Sequence, residues 1–401
     1  MRPESSTLVT GRLTLTFVLL FGLLALITPN AKAQTFSVIH NFGEGSDGVN
    51  PYAGLVIDSA GNMYGVTYNG GSESVGTVFA ISANGQEKVL HSFTGGSDGL
   101  SPYSSLILGA DGLYGTTYGG GAYSSGTVFE VSKSGTEKVL YSFAGGSDGA
   151  NPEGPLSMDS AGNLYGTTFY GGPAGTGVVF EISKSGKESV LYAFGGGTDG
   201  ANPVAGVTVG SGQSLNLYGT TSVGGADGYG TVFELSPSKS GWKESILYNF
   251  QLQNDGGVPY GGLVFDHSGN LYGAATDGGA GGTNGGGTVF ELTHSAGGWQ
   301  FNVLNSLSGW GISGTFRNLL LDGSGNIYAT THCDGTYSAG TVYQLTKSGG
   351  VWTYVPLYTF TGGTDGLYSF SNLVLDSKGN LYGTTAEGGA NGAGVVFKIK
   401  P

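Results

Sequence analysis

The sequence is short of several things that most folds rely on. Its 401 residues hold a single cysteine, Cys333. That excludes a disulfide scaffold, which needs paired cysteines. Charged residues make up only 11%, and 15 basic residues face 28 acidic ones. Nucleic acid and anionic membranes both attract basic patches, so neither is an expected partner. Beyond residue 33 no stretch keeps a 3.6-residue apolar period, and helices are not expected. The five histidines, His40, His91, His267, His294 and His332, do not converge on a zinc or copper site. No G-x-S-x-G elbow or phosphate loop has a strand–turn–helix context.

Glycine is what abounds: 80 residues. That is about three times the ~7% of average usage. There is no Gly-X-Y period, so the chain is not collagen. With 23 tyrosines and 20 phenylalanines it is also too aromatic for a disordered polymer.

The first 33 residues differ from the rest. Arg2 and Arg12 flank a polar start, an apolar run covers Leu13 to Ile27, and Ala31-Lys32-Ala33 follows. This is the order of a secretory signal peptide, with cleavage expected before Gln34. The apolar run is shorter than the ~20 residues that span hydrocarbon. No membrane span is expected after cleavage, and the mature chain should be secreted or periplasmic. It would keep 12 basic and 27 acidic residues, a net −15.

Residues 34–401 read as one repeated unit. The tyrosine of L-Y-G-T-T recurs as Tyr64, Tyr114, Tyr165, Tyr218, Tyr272, Tyr328 and Tyr382. The aromatic of G-T-V-F-E recurs as Phe79, Phe129, Phe180, Phe233, Phe290, Tyr343 and Phe397. The last position of V-L-Y-S-F recurs as Phe42, Phe93, Phe143, Phe194, Phe250, Leu307 and Phe360. Each unit reads as four short strands separated by Gly, Asn, Asp and Ser turns. Four strands per ~50 residues indicate propeller blades. The chain begins on a fourth strand, residues 36–42, and ends on a third, residues 394–398. Joining them completes seven four-stranded blades and removes two open edges. The expected fold is therefore an all-β, seven-bladed β-propeller whose N-terminal strand closes the last blade. An open β-solenoid is the runner-up, but it gives the two ends no reason to match. The glycine after each second-strand tyrosine is expected to make room for a neighbouring blade's aromatic ring.

The combination of L-Y-G-T-T, G-G, G-T-V-F-E and V-L-Y-S-F resembles the Gloeo/Verruco tandem-repeat (GloVer) proteins, over residues 36–401. The resemblance implies export from a bacterium and a repeat fold. It implies no reaction and no catalytic residues.

The longer loops, between strands two and three and between blades, share one face, the default binding face. Its entry loops supply Asp47, Asp98, Asp148, Asp199, Asp255 and Asp365. They are calcium candidates through their oxygens, weighed against a turn role in which each Asp accepts its own backbone N–H groups. No other cofactor is expected. Asp58, Asp159, Asp266, Asp322 and Asp376 belong to the opposite tight turns. An aromatic position opens the innermost strands: Tyr52, Tyr103, Tyr260, Phe316 and Phe370, with Glu153 and Val204 in blades three and four. These rings suit either a sugar face at the channel mouth or packing between blades. Blade six breaks the pattern with Trp310, Arg317 and the run His332-Cys333-Asp334. That run is either a local site, Cys333 being a conceivable thiol nucleophile, or drift of one repeat.

The leading functional expectation is a monomeric, non-enzymatic exported propeller that binds a glycan or another exported protein. The alternatives are a polysaccharide lyase or hydrolase with acidic residues near the channel, and a purely structural surface protein.

Overall fold

The computed structural model describes residues 34–43, 46–212, 214–309 and 314–400. The signal-peptide reading and Trp310 lie outside the described residues. The compact unit is Gln34–Pro401.

That unit is the expected ring of seven four-stranded antiparallel sheets. Blade one shows the plan: an inner strand Val56–Ile57, then Met63–Thr67, Thr77–Ile81 and an outer strand Glu87–Ser92. The seventh blade joins both ends of the chain. Its outer strand is Thr35–Asn41, paired antiparallel with Val395–Lys400 from Thr35–Lys400 to Asn41–Val395. Phe36 stacks on Tyr358 of blade six with centroids 3.9 Å apart, so the closing strand also packs against the preceding blade.

The repeat motifs each have a mechanical reading. The leucine of V-L-Y-S-F, or its Ile39 equivalent, is the extra residue of a β-bulge that interrupts the pairing of strands three and four in every blade. Bulges sharpen local twist. In blade six the same irregularity accommodates Pro356 on the edge strand.

The glycine of L-Y-G-T-T does make room for an aromatic ring, but a different one from that expected. Gly65 lies in register with Phe79 of its own blade, and an added Cβ would stand 2.6 Å from the Phe79 ring. The neighbouring blade's phenylalanine meets that ring from outside: Phe42 reaches Phe79, and Phe93 reaches Phe129, edge-on at 5.0 and 5.2 Å. Blade six changes the whole set together. Ala329 replaces the glycine, Tyr343 the phenylalanine and Leu307 the preceding phenylalanine, and all three share one core cluster. The fully buried Tyr343 hydroxyl bonds Thr315 at 2.8 Å.

The tight-turn aspartates lock the inner hairpins. Asp58 Oδ1 accepts from Ala60 N and Asn62 N, and Oδ2 from Asn62 Nδ2 and Tyr64 OH, all at 2.9–3.2 Å. Gly61 in this turn has φ 84°, which glycine adopts without strain. Burial alone would raise the Asp58 pKa, but these bonds and Lys133 outweigh it and hold the carboxyl well below its ordinary value. Asp159, Asp266, Asp322 and Asp376 are lowered in the same way.

The outer seams behave oppositely. Glu87, Glu137, Glu188 and Glu244 each keep one buried carboxyl oxygen without a hydrogen-bond partner. Burial, then a nearby aspartate charge, pushes each up to about 7. The aligned position in blades five, six and seven is Phe301, Tyr354 and Phe36.

These shifts set the pH dependence of stability. Lowered aspartates contribute stability above their unfolded pKa of about 3.9, and it is lost as pH falls. Raised glutamates contribute stability below their unfolded pKa of about 4.3, and it is lost as pH rises through about 7. Thermal unfolding of residues 34–401 should therefore peak in mild acid and decline from pH 5 to pH 8. Replacing the four seam glutamates by glutamine should flatten the alkaline decline. A decline of unchanged slope in that variant would refute this origin.

Candidate functional site

The inner strands carry three tiers of residues, two positions apart, down the central channel. The lowest tier, with Val56, Ile107 and Val374, and the middle tier, with Ser105, Pro155 and Asn318, line a cavity of about 500 Å³. The top tier is the aromatic position. Strand periodicity of two turns each tier toward the axis.

At the top the sequence-predicted rings do converge. Tyr260, Phe316, Phe370, Tyr52 and Tyr103 form an unbroken arc through blades five, six, seven, one and two. Successive centroids lie 5.4, 5.3, 5.4 and 5.7 Å apart. All five rings are half-buried. They therefore pack against one another across the blades while keeping part of each ring at the surface. His332 joins the arc, 4.2 Å from the Phe370 ring and 4.6 Å from Tyr368. Tyr68 adds an edge contact to Tyr52 at 5.4 Å.

Arg317 is the asymmetric element. Its position in the other blades holds only small residues: Ala53, Ser104, Gly154, Ala205, Gly261 and Ser371. In four blades the hydroxyl of a second-strand threonine reaches the next blade's carbonyl at this position, as Thr384 does Ala53 O at 2.7 Å. Blade five, which precedes Arg317, has Ala274 there instead. The Arg317 side chain leaves blade six and spans the channel mouth. Nε donates to Phe370 O at 3.3 Å, Nη2 donates to Tyr103 O on blade two at 3.2 Å, and the guanidinium lies 4.5 Å from the Tyr103 ring centroid. It is only 7% exposed.

Glu153 closes the collar in blade three, and Val204 in blade four. Burial pushes the Glu153 carboxyl up to about 7 against the pull of Arg317. Burial, then the Glu153 charge, raises the Tyr260 and Tyr118 hydroxyls. A carboxyl poised near neutrality can exchange a proton. Two-carboxylate glycoside hydrolysis would need a second carboxyl about 5–9.5 Å away. The other carboxylates whose charge reaches the collar are Asp277, beside Tyr260, and Glu387, beside Tyr52. Glu153 is visible in the sequence only as an exception at an aromatic position. Its attraction to Arg317, across a gap, comes from the closure of the ring.

The other candidates go elsewhere. Asp334 is buried, accepts a hydrogen bond from Thr331 Oγ1, and occupies the turn position of Gly70 in blade one. At Gly70 a Cβ would meet the entry-loop Gly48, 2.5 Å away. Blade six lacks the D-G entry sequence of the other blades. Burial and then the Asp334 charge raise the Cys333 thiol, the wrong direction for an activated nucleophile.

The six entry-loop aspartates each engage their own turn. Asp365 accepts from Thr361 N at 2.8 Å, Thr361 Oγ1 at 2.6 Å and Tyr358 OH at 3.0 Å. Asp47 and Asp98 meet His40 and His91 in place of the tyrosine, and Asp148, Asp199 and Asp255 repeat the tyrosine contact. Among the described residues no group of three or more His, Cys, Asp or Glu is placed to hold a metal ion, and no helix is long and apolar enough to cross a membrane.

The sequence profile of the Gloeobacter/Verrucomicrobia repeat matches residues 22–215 and 212–401. The chain belongs to the Gloeobacter/Verrucomicrobia repeat family. No curated protein matches this repeat protein in sequence. Among solved structures it is similar to a 6-phosphogluconolactonase from Bacteroides uniformis, at 16% identity and TM-score 0.50, over 76% of this chain and 83% of that one. It also matches a gluconolactonase at 12% identity and TM-score 0.44, over 92% of both chains. A third match is TolB from Acinetobacter baumannii at 11% identity and TM-score 0.42, over 71% of this chain and 60% of that one. The first of these supports the propeller fold and nothing finer.

The turn role of the entry-loop aspartates has a direct check. Asp365→Ala should lower unfolding stability by about 1–3 kcal/mol, the range for losing hydrogen bonds to a charged group. The loss should be the same with and without millimolar Ca²⁺ in thermal denaturation. A melting temperature that rises with Ca²⁺ in the parent and not in the variant would reassign Asp365 as a ligand.

Proposed function

We propose that this repeat protein is an exported, monomeric binding module that holds a glycan at the collar, with no reaction of its own. The observation that carries this reading is the arc of five partly exposed aromatic rings around one guanidinium and one carboxyl. Sugar rings present C–H faces that lie on aromatic faces, and hydroxyls that need hydrogen-bonding groups in fixed positions. The collar offers both on the loop-rich face. The rings also pack on one another across blades, so little ordering is needed when a ligand arrives. Export rests on the N-terminal segment, and the acidic balance disfavours nucleic acid.

A second reading, an exported protein partner, draws on a separate observation. Tyr123, Tyr170, Tyr229 and Tyr337, in the strand-two to strand-three loops of the same face, are 63%, 47%, 37% and 62% exposed. Such tyrosines are common in protein interfaces.

A glycan array probed with residues 34–401, followed by calorimetry on the hits, separates the two. The glycan reading predicts binding that weakens about ten-fold or more in Tyr260→Ala and Phe316→Ala. It also predicts indifference to Tyr123→Ser and Tyr337→Ser. No glycan bound by the folded parent protein would end it.

A further inference from the structure

We infer that the glycan held at the collar carries an acidic group, a carboxylate or a sulfate, that is bound by Arg317. This rests on the glycan reading above and narrows it to a class of ligand.

A guanidinium has five N–H groups and cannot give up its charge. Arg317 spends two of them on Phe370 O and Tyr103 O. The other three have no protein acceptor among the described residues, although the side chain is more than nine-tenths buried. No Arg317 nitrogen is among the fully buried atoms that lack a partner, so its unspent donors stay open to water or to an incoming oxyanion. Glu153 is the carboxyl in its neighbourhood, yet no ion pair within 4.0 Å joins the two among the described residues. The two groups attract across a gap rather than touch.

A carboxylate or sulfate fits that arrangement. It can take the free N–H groups as charge-assisted hydrogen bonds, the strongest kind a protein makes with an oxyanion. Carbonyl bonds and the Tyr103 face already fix the guanidinium plane, so little side-chain freedom remains to be lost. The sugar ring that bears the anion then lies within reach of the aromatic arc.

The location supports the same assignment. Arginine replaces a small residue at one blade of seven, and the preceding blade has Ala274 at a position that is threonine in five of the seven. A merely structural plug for the channel would not require a fixed charge at its centre.

Glu153 gives the site a pH signature. The charged and titratable groups around it are Arg317, Tyr118, Tyr260 and Tyr103, with His332 on the same arc and Asp277 and Glu387 acting on the collar tyrosines. Near pH 6 a protonated Glu153 leaves the Arg317 charge uncompensated. Near pH 8 the ionised carboxylate competes with an incoming anion. Acidic ligands should therefore bind more weakly as pH rises.

The test uses residues 34–401 with four probes: trigalacturonate, its fully methyl-esterified form, a sulfated galactan trisaccharide and the unsulfated trisaccharide. Binding is measured by calorimetry at pH 6 and pH 8. At pH 6 at least one acidic probe should bind about 10- to 100-fold more tightly than its neutral counterpart, the factor expected for hydrogen bonds to a charged group. The probe that shows the difference identifies the anion. Arg317→Gln should erase the difference. Glu153→Gln should preserve binding at pH 6 and remove the weakening at pH 8, which keeps the proposal falsifiable if the arginine variant does not fold. Equal binding of acidic and neutral probes, with loss in Tyr260→Ala, would overturn the acidic-ligand inference and leave the glycan reading standing. If none of the four probes binds, the acidic-ligand inference falls, and the glycan reading is decided by the array.

Discussion

The ring depends on one repeated contact. In six of the seven junctions a phenylalanine from one blade's outer strand meets, edge-on at 5.0–5.4 Å, the third-strand phenylalanine of the next. That second ring lies over the glycine of its own L-Y-G-T-T strand, where a side chain would collide with it. Close packing of this kind tolerates no independent change. Blade six shows the consequence: Leu307, Ala329 and Tyr343 change together, and Thr315 satisfies the new hydroxyl. The same contacts bring seven inner strands around one axis, and the collar exists only because that axis does.

Much of this is legible in the sequence because repetition averages out local ambiguity. Seven copies of L-Y-G-T-T and G-T-V-F-E fix the strand order. A leading fourth strand and a trailing third strand fix the closure. The identity of the ring over the glycine was not legible, because a repeat does not say whether two of its positions meet within a copy or between copies. Register across Gly65 and Phe79 decides it. The convergence of Tyr52, Tyr103, Tyr260, Phe316 and Phe370 follows from symmetry and could be read in advance.

Departures from symmetry resist the same treatment. Arg317, His332 and Asp334 look alike as irregularities of blade six, yet they meet different fates. Both His332 and Asp334 lie beyond the strand Ile327–Thr331, where the first packs on Phe370 at the collar and the second fills a turn. Arg317 acts on blade two, on the other side of the channel, which no local pattern encodes. Glu153 matters because of where that guanidinium ends up. Abundant glycine therefore builds the scaffold, and a few large residues at small-residue positions make it specific.

The central claim is that the collar and Arg317 together receive a ligand. A crystal structure of residues 34–401 with a sugar acid bound tests it most directly. The account predicts a sugar ring against Tyr260 and Phe316, with its anionic oxygens on Arg317 N–H groups other than those donated to Phe370 O and Tyr103 O. A ligand seated elsewhere on the ring, with the collar unoccupied at saturating concentration, would contradict it.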